Sequence, residues 1–179
     1  TSEAGWTVGG MAKGAGMLAP ALATMLVVVT TDADLTPEQA DAALRAATRV
    51  TFDRTDSDGC MSTNDTVILL ASGASEIVPD LDDFTEALTG VCASLARQLL
   101  ADAEGSSHDI AVTIMNAATE EDALDVARAV ARSNLFKTAI FGNDPNWGRV
   151  LAAVGTTRAT FDPELVSVAF NGITVFRTG

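Results

Sequence analysis

The sequence predicts an α/β fold, and three observations carry that prediction. Met25-Leu26-Val27-Val28-Val29 is an unbroken apolar run with the length and branching of a strand buried on both faces. Thr36-Pro37-Glu38-Gln39 is a helix start, with threonine as the cap, proline at the first helical position and glutamine completing a capping box. Asn171-Gly172 stands between two alternating apolar stretches and reads as the type I′ turn of a β-hairpin. Helix and strand patterns alternate between these points, with no internal repeat, low-complexity tract or obvious linker.

The helix after Thr36 puts Ala40, Ala43, Leu44, Ala47 and Val50 on one side. Thr66 to Ala71 reads as another buried strand. Residues from about Asp82 to Ala103 form a long amphipathic helix, with Phe84, Leu88, Val91, Leu95 and Leu99 at helical spacing. Ile110, Val112 and Ile114 alternate and predict a strand with one buried face. Thr119-Glu120-Glu121-Asp122 begins a helix whose first-turn acids suit the macrodipole. Phe136 to Phe141 has strand character, and Pro145 opens a short helix towards Val154, capped by Asn143 or Asp144. Val166, Val168 and Phe170, then Ile173, Val175 and Phe176, supply the two hairpin strands. The pattern leaves the order of strands in the sheet open.

A chain of 179 residues, 47% hydrophobic, suits one domain with a real core and excludes disorder. The longest apolar run is too short for a membrane span and the N-terminus lacks a signal pattern, so a cytoplasmic protein is expected. Cys60 and Cys92 make neither a disulfide framework nor a metal spacing, and reduced thiols are expected. A formal charge of −13 opposes a nucleic-acid partner, because phosphate binding needs a basic face. No metal is expected. Asp53, Asp56 and Asp58 begin like a calcium loop, but no acid stands at the twelfth position, and His108 has no companion ligand at zinc spacing.

The chemistry concentrates near the N-terminus. Residues 9–30 place Lys13 in a glycine-rich run, then Pro20, then Thr24 between Ala23 and the apolar strand. A threonine there is an odd choice for packing and a sensible one for catalysis. Cutting Ala23–Thr24 gives Thr24 a nucleophilic hydroxyl and, on the same residue, a free α-amine to act as its base. That amine has a pKa near ~8, against ~10.4 for lysine, and accepts a proton at working pH. A lysine in such a glycine-rich run is either a solvated surface residue or part of an anion cradle. The run lacks the residue order of a nucleotide-binding loop.

Lys13-Gly14-Ala15-Gly16-Met17, Pro20 and Ala23-Thr24-Met25-Leu26 together resemble the self-cleavage region of the ornithine acetyltransferases, also called glutamate N-acetyltransferases. Ser62-Thr63-Asn64-Asp65-Thr66, Glu104-Gly105 and Phe141-Gly142-Asn143-Asp144-Pro145-Asn146-Trp147-Gly148-Arg149 match the same family in the same order, so the resemblance runs through nearly the whole chain. It implies a layered sandwich of two β-sheets flanked by helices, a self-cleaving acyltransferase or aminopeptidase-like fold, incomplete in this chain. Residues 1–23 would then be the C-terminal end of an α-subunit segment and 24–179 a β-subunit segment of the same domain, assembled as α2β2.

The resemblance also implies an activity and its residues. Thr24 is the nucleophile for self-cleavage at Ala23–Thr24 and the acetyl acceptor in turnover, moving acetyl from N2-acetylornithine to glutamate in arginine biosynthesis. Lys13 contacts substrate, with a carboxylate as its natural partner. Glu104 engages the substrate's amino group, as a binder or as a proton carrier; as an acid placed where a helix ends, with Gly105 as a left-handed cap, it opposes the helix dipole, a local conflict that points to function. Asn64 and Asp65 line the cleft. Asp144, Asn146, Trp147 and Arg149 are explained by turn and helix-start chemistry, with Asp144 and Asn146 as further site-lining candidates. No cofactor is implied, and use of acetyl-CoA as a second acetyl donor stays open. Family members are much longer, and their oxyanion donors and a closing C-terminal stretch are expected to lie outside these residues. Such a segment should expose apolar surface. Two alternatives stand: a related self-cleaving aminopeptidase or amidase in which water is the acceptor, and a structural fragment with an inert Thr24.

Overall fold

A computed structural model gives the structure of the protein and describes residues 5–16, 25–60 and 64–177. The chain divides into two compact units, Thr1–Ser106 and Ser107–Gly179. The first holds β1 (Val8–Lys13), β2 (Leu26–Thr31), α1 (Pro37–Arg49), β3 (Thr66–Ala71) and α2 (Leu81–Ala101). Its sheet has the order β1-β2-β3, with β1 antiparallel and β3 parallel to the central β2. The parallel pair requires a crossover, which α1 provides.

Local chemistry sets the ends of these helices. The Thr36 hydroxyl accepts the Gln39 N–H at 3.3 Å while the Gln39 side chain accepts the Thr36 N–H at 3.0 Å, closing the predicted capping box. Helix α2 starts one residue earlier than its apolar spacing suggests, because Asp80 caps it through the N–H groups of Asp82 and Asp83. Both helices bury their small or apolar stripe. Ala43 and Ala47 of α1 and Phe84, Leu88, Cys92, Ala96 and Leu99 of α2 meet Val27 and Val29 of β2 in one core. Trp6 packs its ring on Phe84 at 5.3 Å between centroids, tilted by 52°. Phe84 and Leu88 are fully enclosed, and truncating such a phenylalanine to alanine costs about 3–5 kcal/mol. Gly10 lets α2 cross close over β1: a methyl there would stand 2.9 Å from the Val28 carbonyl oxygen and 3.2 Å from the Leu95 side chain.

The opposite face of the sheet differs from the sequence expectation. Strands β2 and β3 are not buried on both faces, since Leu26 is 44%, Ile68 42% and Leu70 55% exposed. Met11, 73% exposed, lies in register with Val28, which pairs in turn with Ile68. The helices cover one face only, so alternate side chains of apolar strands stand in solvent. The apolar surface expected of this chain is therefore a sheet face.

The second unit holds α3 (Glu120–Arg132), α4 (Asn134–Phe141), α5 (Trp147–Val154), β4 (Ser167–Phe170) and β5 (Ile173–Arg177). Thr119 caps α3 through the Asp122 N–H at 3.0 Å, as its sequence predicts. The hairpin is also as predicted: β4 and β5 are antiparallel, and Asn171 and Gly172 have φ of 50° and 81°, the two positive values that a type I′ turn requires. Phe136 to Phe141 is helical rather than a strand. Ser133 caps that helix at the Phe136 N–H, and Phe136, Ala139 and Ile140 fall on its inner side at helical spacing. Residues Ile110 to Ile114 join no ladder; the alternation survives only as burial, with Val112 and Ile114 packed on Val126, Val130 and Phe136 while Ile110 stays exposed. Among the described residues the fold thus has two sheets and five α-helices, the α/β class that the sequence predicts.

Candidate functional site

Ala23 and Thr24, together with residues 17–22, lie outside the described residues. The described residues resume at Met25. Met25 is 8% exposed, anchored in the core just ahead of β2. Its N–H donates to Asp65 Oδ1 at 2.7 Å, and its carbonyl accepts the Thr66 N–H at 2.9 Å. Two adjacent residues at the start of β3 therefore hold both backbone groups of the residue that follows Thr24. Asn64 is exposed beside them.

Two further candidates reach the same end of the sheet. Lys13 ends β1 and pairs with Leu26, which pairs with Thr66 on the other side. Met11 and Lys13 alternate with Ala12, which packs on the core, so Lys13 belongs to the sheet face that the helices leave open. Glu104 arrives from the helical side. Helix α2 ends at Ala101 with Asp102 as its cap, and a turn over Ala103–Ser106 follows, closed by the Ser106 N–H on the Ala103 carbonyl at 3.0 Å. Gly105 takes φ 70° inside that turn, so it shapes the turn rather than capping the helix directly, as the sequence suggested. The Glu104 N–H then donates to the Ala15 carbonyl at 2.6 Å. A main-chain bond thus ties the acid to the glycine-rich segment that carries Lys13.

Gly16 shows how close the two segments come. A Cβ at this position would lie 3.5 Å from Glu104 Oε2 and 3.8 Å from Asp58 Oδ2. Both carboxylates border the space that glycine leaves open. Asp58 was legible in sequence only as a turn residue, and it does serve the turn: its Oδ1 accepts the Cys60 N–H at 2.9 Å, while Asp56 accepts the Gly59 N–H at 2.8 Å. Nothing in linear spacing links it to Glu104. A cation is the complement of such a pair of acids, and a carboxylate is the complement of Lys13.

The Asp144–Arg149 motif belongs to the second unit and is knotted into its own turn. Asn146, not Asn143 or Asp144, caps α5, accepting the Arg149 N–H at 3.2 Å and donating to Asp144 Oδ2 at 3.0 Å. Asn143 instead takes φ 53° and its N–H closes the end of α4 on the Ile140 carbonyl. Arg149 Nη1 donates to the Leu135 carbonyl at 2.8 Å, and Trp147 stacks on Phe176 with centroids 4.4 Å apart. The groups that looked most recognisable in sequence hold α4, α5 and the hairpin together. His108 has Ser107 Oγ 2.9 Å from its Nδ1 and the Phe141 ring beside it. No cluster of three or more metal-ligating side chains occurs among the described residues.

Comparison with known proteins follows the same lines. Residues 1–179 match the ArgJ family. The arginine biosynthesis bifunctional protein ArgJ of Streptomyces avermitilis is 66% identical over 175 residues, which is 98% of this chain and 46% of that protein. Its namesake in Mycobacterium tuberculosis is 62% identical over 170 residues, 95% of this chain and 42% of the relative. The crystal structure of the arginine biosynthesis bifunctional protein ArgJ from Bacillus halodurans superimposes with a TM-score of 0.79 at 38% identity, covering 84% of this chain and 73% of that one. The chain spans about half the length of the curated relatives it matches.

Proposed function

The chain belongs to the ArgJ family, and we propose that it serves acetyl transfer from N2-acetylornithine to glutamate in arginine biosynthesis, through an acetyl ester on Thr24. The relatives' shared name, arginine biosynthesis bifunctional protein, supports the pathway. The observation that carries the chemistry is the meeting, at one end of one sheet, of Lys13, Glu104 and the residue that follows Thr24. Amino-acid substrates carry a carboxylate and an amine, and this end offers a lysine and acids to match.

Maturation and turnover use the same hydroxyl. In maturation the Thr24 Oγ attacks the Ala23 carbonyl, the C–N bond breaks, and the chain passes to an ester while the α-amine is released. Water hydrolyses that ester, leaving Ala23 at the end of one piece and Thr24 at the start of the other. In turnover the freed amine takes the hydroxyl proton as Oγ attacks the acetyl carbonyl of N2-acetylornithine, and ornithine leaves with a proton on its nitrogen. The amine of glutamate then attacks the acetyl-threonine, forming N-acetylglutamate and regenerating the hydroxyl. Oxyanion donors, worth on the order of 10²–10³ in rate for one donor, come on this reading from outside the chain. The reaction as drawn uses no metal or cofactor, and acetyl-CoA would enter it only as an alternative donor.

The test is to incubate the whole protein with N2-acetylornithine, with and without glutamate, and to follow ornithine release and acetylation of the peptide beginning at Thr24. A stoichiometric burst of ornithine without glutamate and continuous turnover with it is the expected result. Steady turnover to free acetate without glutamate would mark a hydrolase, and an unmodified Thr24 would remove the nucleophile assignment.

A further inference from the structure

We propose that Asp65 is a positioning residue for the Thr24 nucleophile, acting through the Met25 amide; the proposal rests on the acetyl-transfer reading of Thr24. The Met25 N–H precedes the β1–β2 ladder, whose terminal pair is Lys13 with Leu26, and it bonds to a carboxylate instead of a strand carbonyl. That bond is short, at 2.7 Å, and charge-assisted, the stronger class of hydrogen bond. The peptide group is planar, so the plane that contains the Met25 N–H also contains the carbonyl and Cα of Thr24. Orienting one orients the other. The Thr66 N–H, at 2.9 Å from the Met25 carbonyl, holds the next peptide plane, so both backbone groups of Met25 are engaged.

The need for this anchor rises with cleavage. In the uncut chain Thr24 is covalently bonded to a residue on either side. Once Ala23–Thr24 is cut, Thr24 becomes a chain terminus, the part of a fold that frays unless tied down. Its only covalent restraint is then Met25, and the side chain that holds the Met25 amide is Asp65. A displaced nucleophile costs rate steeply, because a shift of about 1 Å is worth up to roughly 10²-fold. Asp65 therefore acts on kcat, whereas Lys13 and Glu104 act on substrate binding.

The experiment compares the whole protein carrying Asp65→Ala, Asp65→Asn or Asp65→Glu, with Thr24→Ala as the reference for the underlying reading. Three quantities are measured: the rate of Ala23–Thr24 cleavage by mass spectrometry, kcat and KM for N2-acetylornithine, and the thermal midpoint. Asp65→Ala is expected to lower both cleavage rate and kcat by roughly 10- to 100-fold with KM within about threefold. Asp65→Asn keeps an acceptor oxygen and should restore kcat to within about fivefold of the parent. Should the alanine variant fail to fold, Asp65→Glu decides, because it keeps the charge on a longer stem and should still lose at least about tenfold in kcat. A parental kcat in Asp65→Ala or Asp65→Glu, or a loss confined to KM, overturns the positioning role while an inactive Thr24→Ala leaves the acetyl-transfer reading intact. Activity in Thr24→Ala overturns that reading and the proposal with it.

Discussion

The two ends of the three-stranded sheet use polar side chains in opposite ways. At one end they are turned onto the protein's own backbone. The buried Thr31 hydroxyl donates to the Thr7 carbonyl at 2.7 Å and accepts the Ala33 N–H at 3.1 Å. Asp32 takes the Thr7 N–H at 2.6 Å, and the Ser75 hydroxyl donates to the Asp32 carbonyl at 2.8 Å. At the other end the backbone does much of the holding, through Glu104 N–H on Ala15 and Thr66 N–H on Met25, with Asp65 lending a carboxylate. Lys13 and Glu104 stand exposed there. One end closes the fold and the other leaves a lysine and an acid in solvent, although both are built from the same kinds of residue. Polar composition alone does not mark a site; the direction in which the side chains are used does.

Substitutions at the two ends should therefore separate rate from stability. The largest effect is expected at Thr24: Thr24→Ala abolishes cleavage and acetyl-enzyme formation, while Thr24→Ser retains part of each, both read by mass spectrometry of the whole protein. Next come Lys13→Ala and Glu104→Gln, each expected to lower kcat/KM by roughly 10- to 100-fold, the size of a hydrogen bond to a charged group, with little change in the thermal midpoint. At the opposite end the pattern inverts. Thr31→Val strands the Ala33 N–H and should cost about 1–3 kcal/mol in denaturant unfolding while leaving kcat unchanged. Equal changes in rate and stability at either end would erase the distinction. The smallest effect involves the core between them. Burial pushes the Cys92 thiol up from 9.0 to about 11, so its contribution to stability is complete below pH 9 and is lost as pH rises towards 11. Cys92→Ala should flatten that alkaline decline in the thermal midpoint without altering activity at neutral pH.

What the sequence disclosed follows the range of the interactions concerned. The Thr36–Gln39 box, the Thr119 cap and the Asn171-Gly172 turn are settled by neighbours within a few residues, and all three were legible. The extended reading of Ile110 to Ile114 failed because a ladder needs a partner strand, which alternation alone does not guarantee. Phe136 to Phe141 failed because six residues are too few to separate the two periods; Ser133, three residues ahead, was the available signal for a helix. For the site, the resemblance named Lys13 and Glu104, yet no spacing argument could have brought Glu104 onto Ala15. Asp58 gave no sign beyond its turn, since only the fold sets it beside Gly16.

The antiparallel ladder from Val8 with Thr31 to Lys13 with Leu26 has a thermodynamic consequence. The proposed cleavage at Ala23–Thr24 would place β1 on one polypeptide and β2 on the other, so that a hairpin within one chain would become a strand pair between two. Before the cut, unfolding and refolding are first order and the tether keeps the two strands at a high effective concentration. After it, complete unfolding would release two molecules, the unfolding midpoint would depend on protein concentration, and refolding would have to wait for an encounter. A cleaved protein would then be preserved by how slowly it comes apart, a kinetic safeguard that the uncut chain would not need.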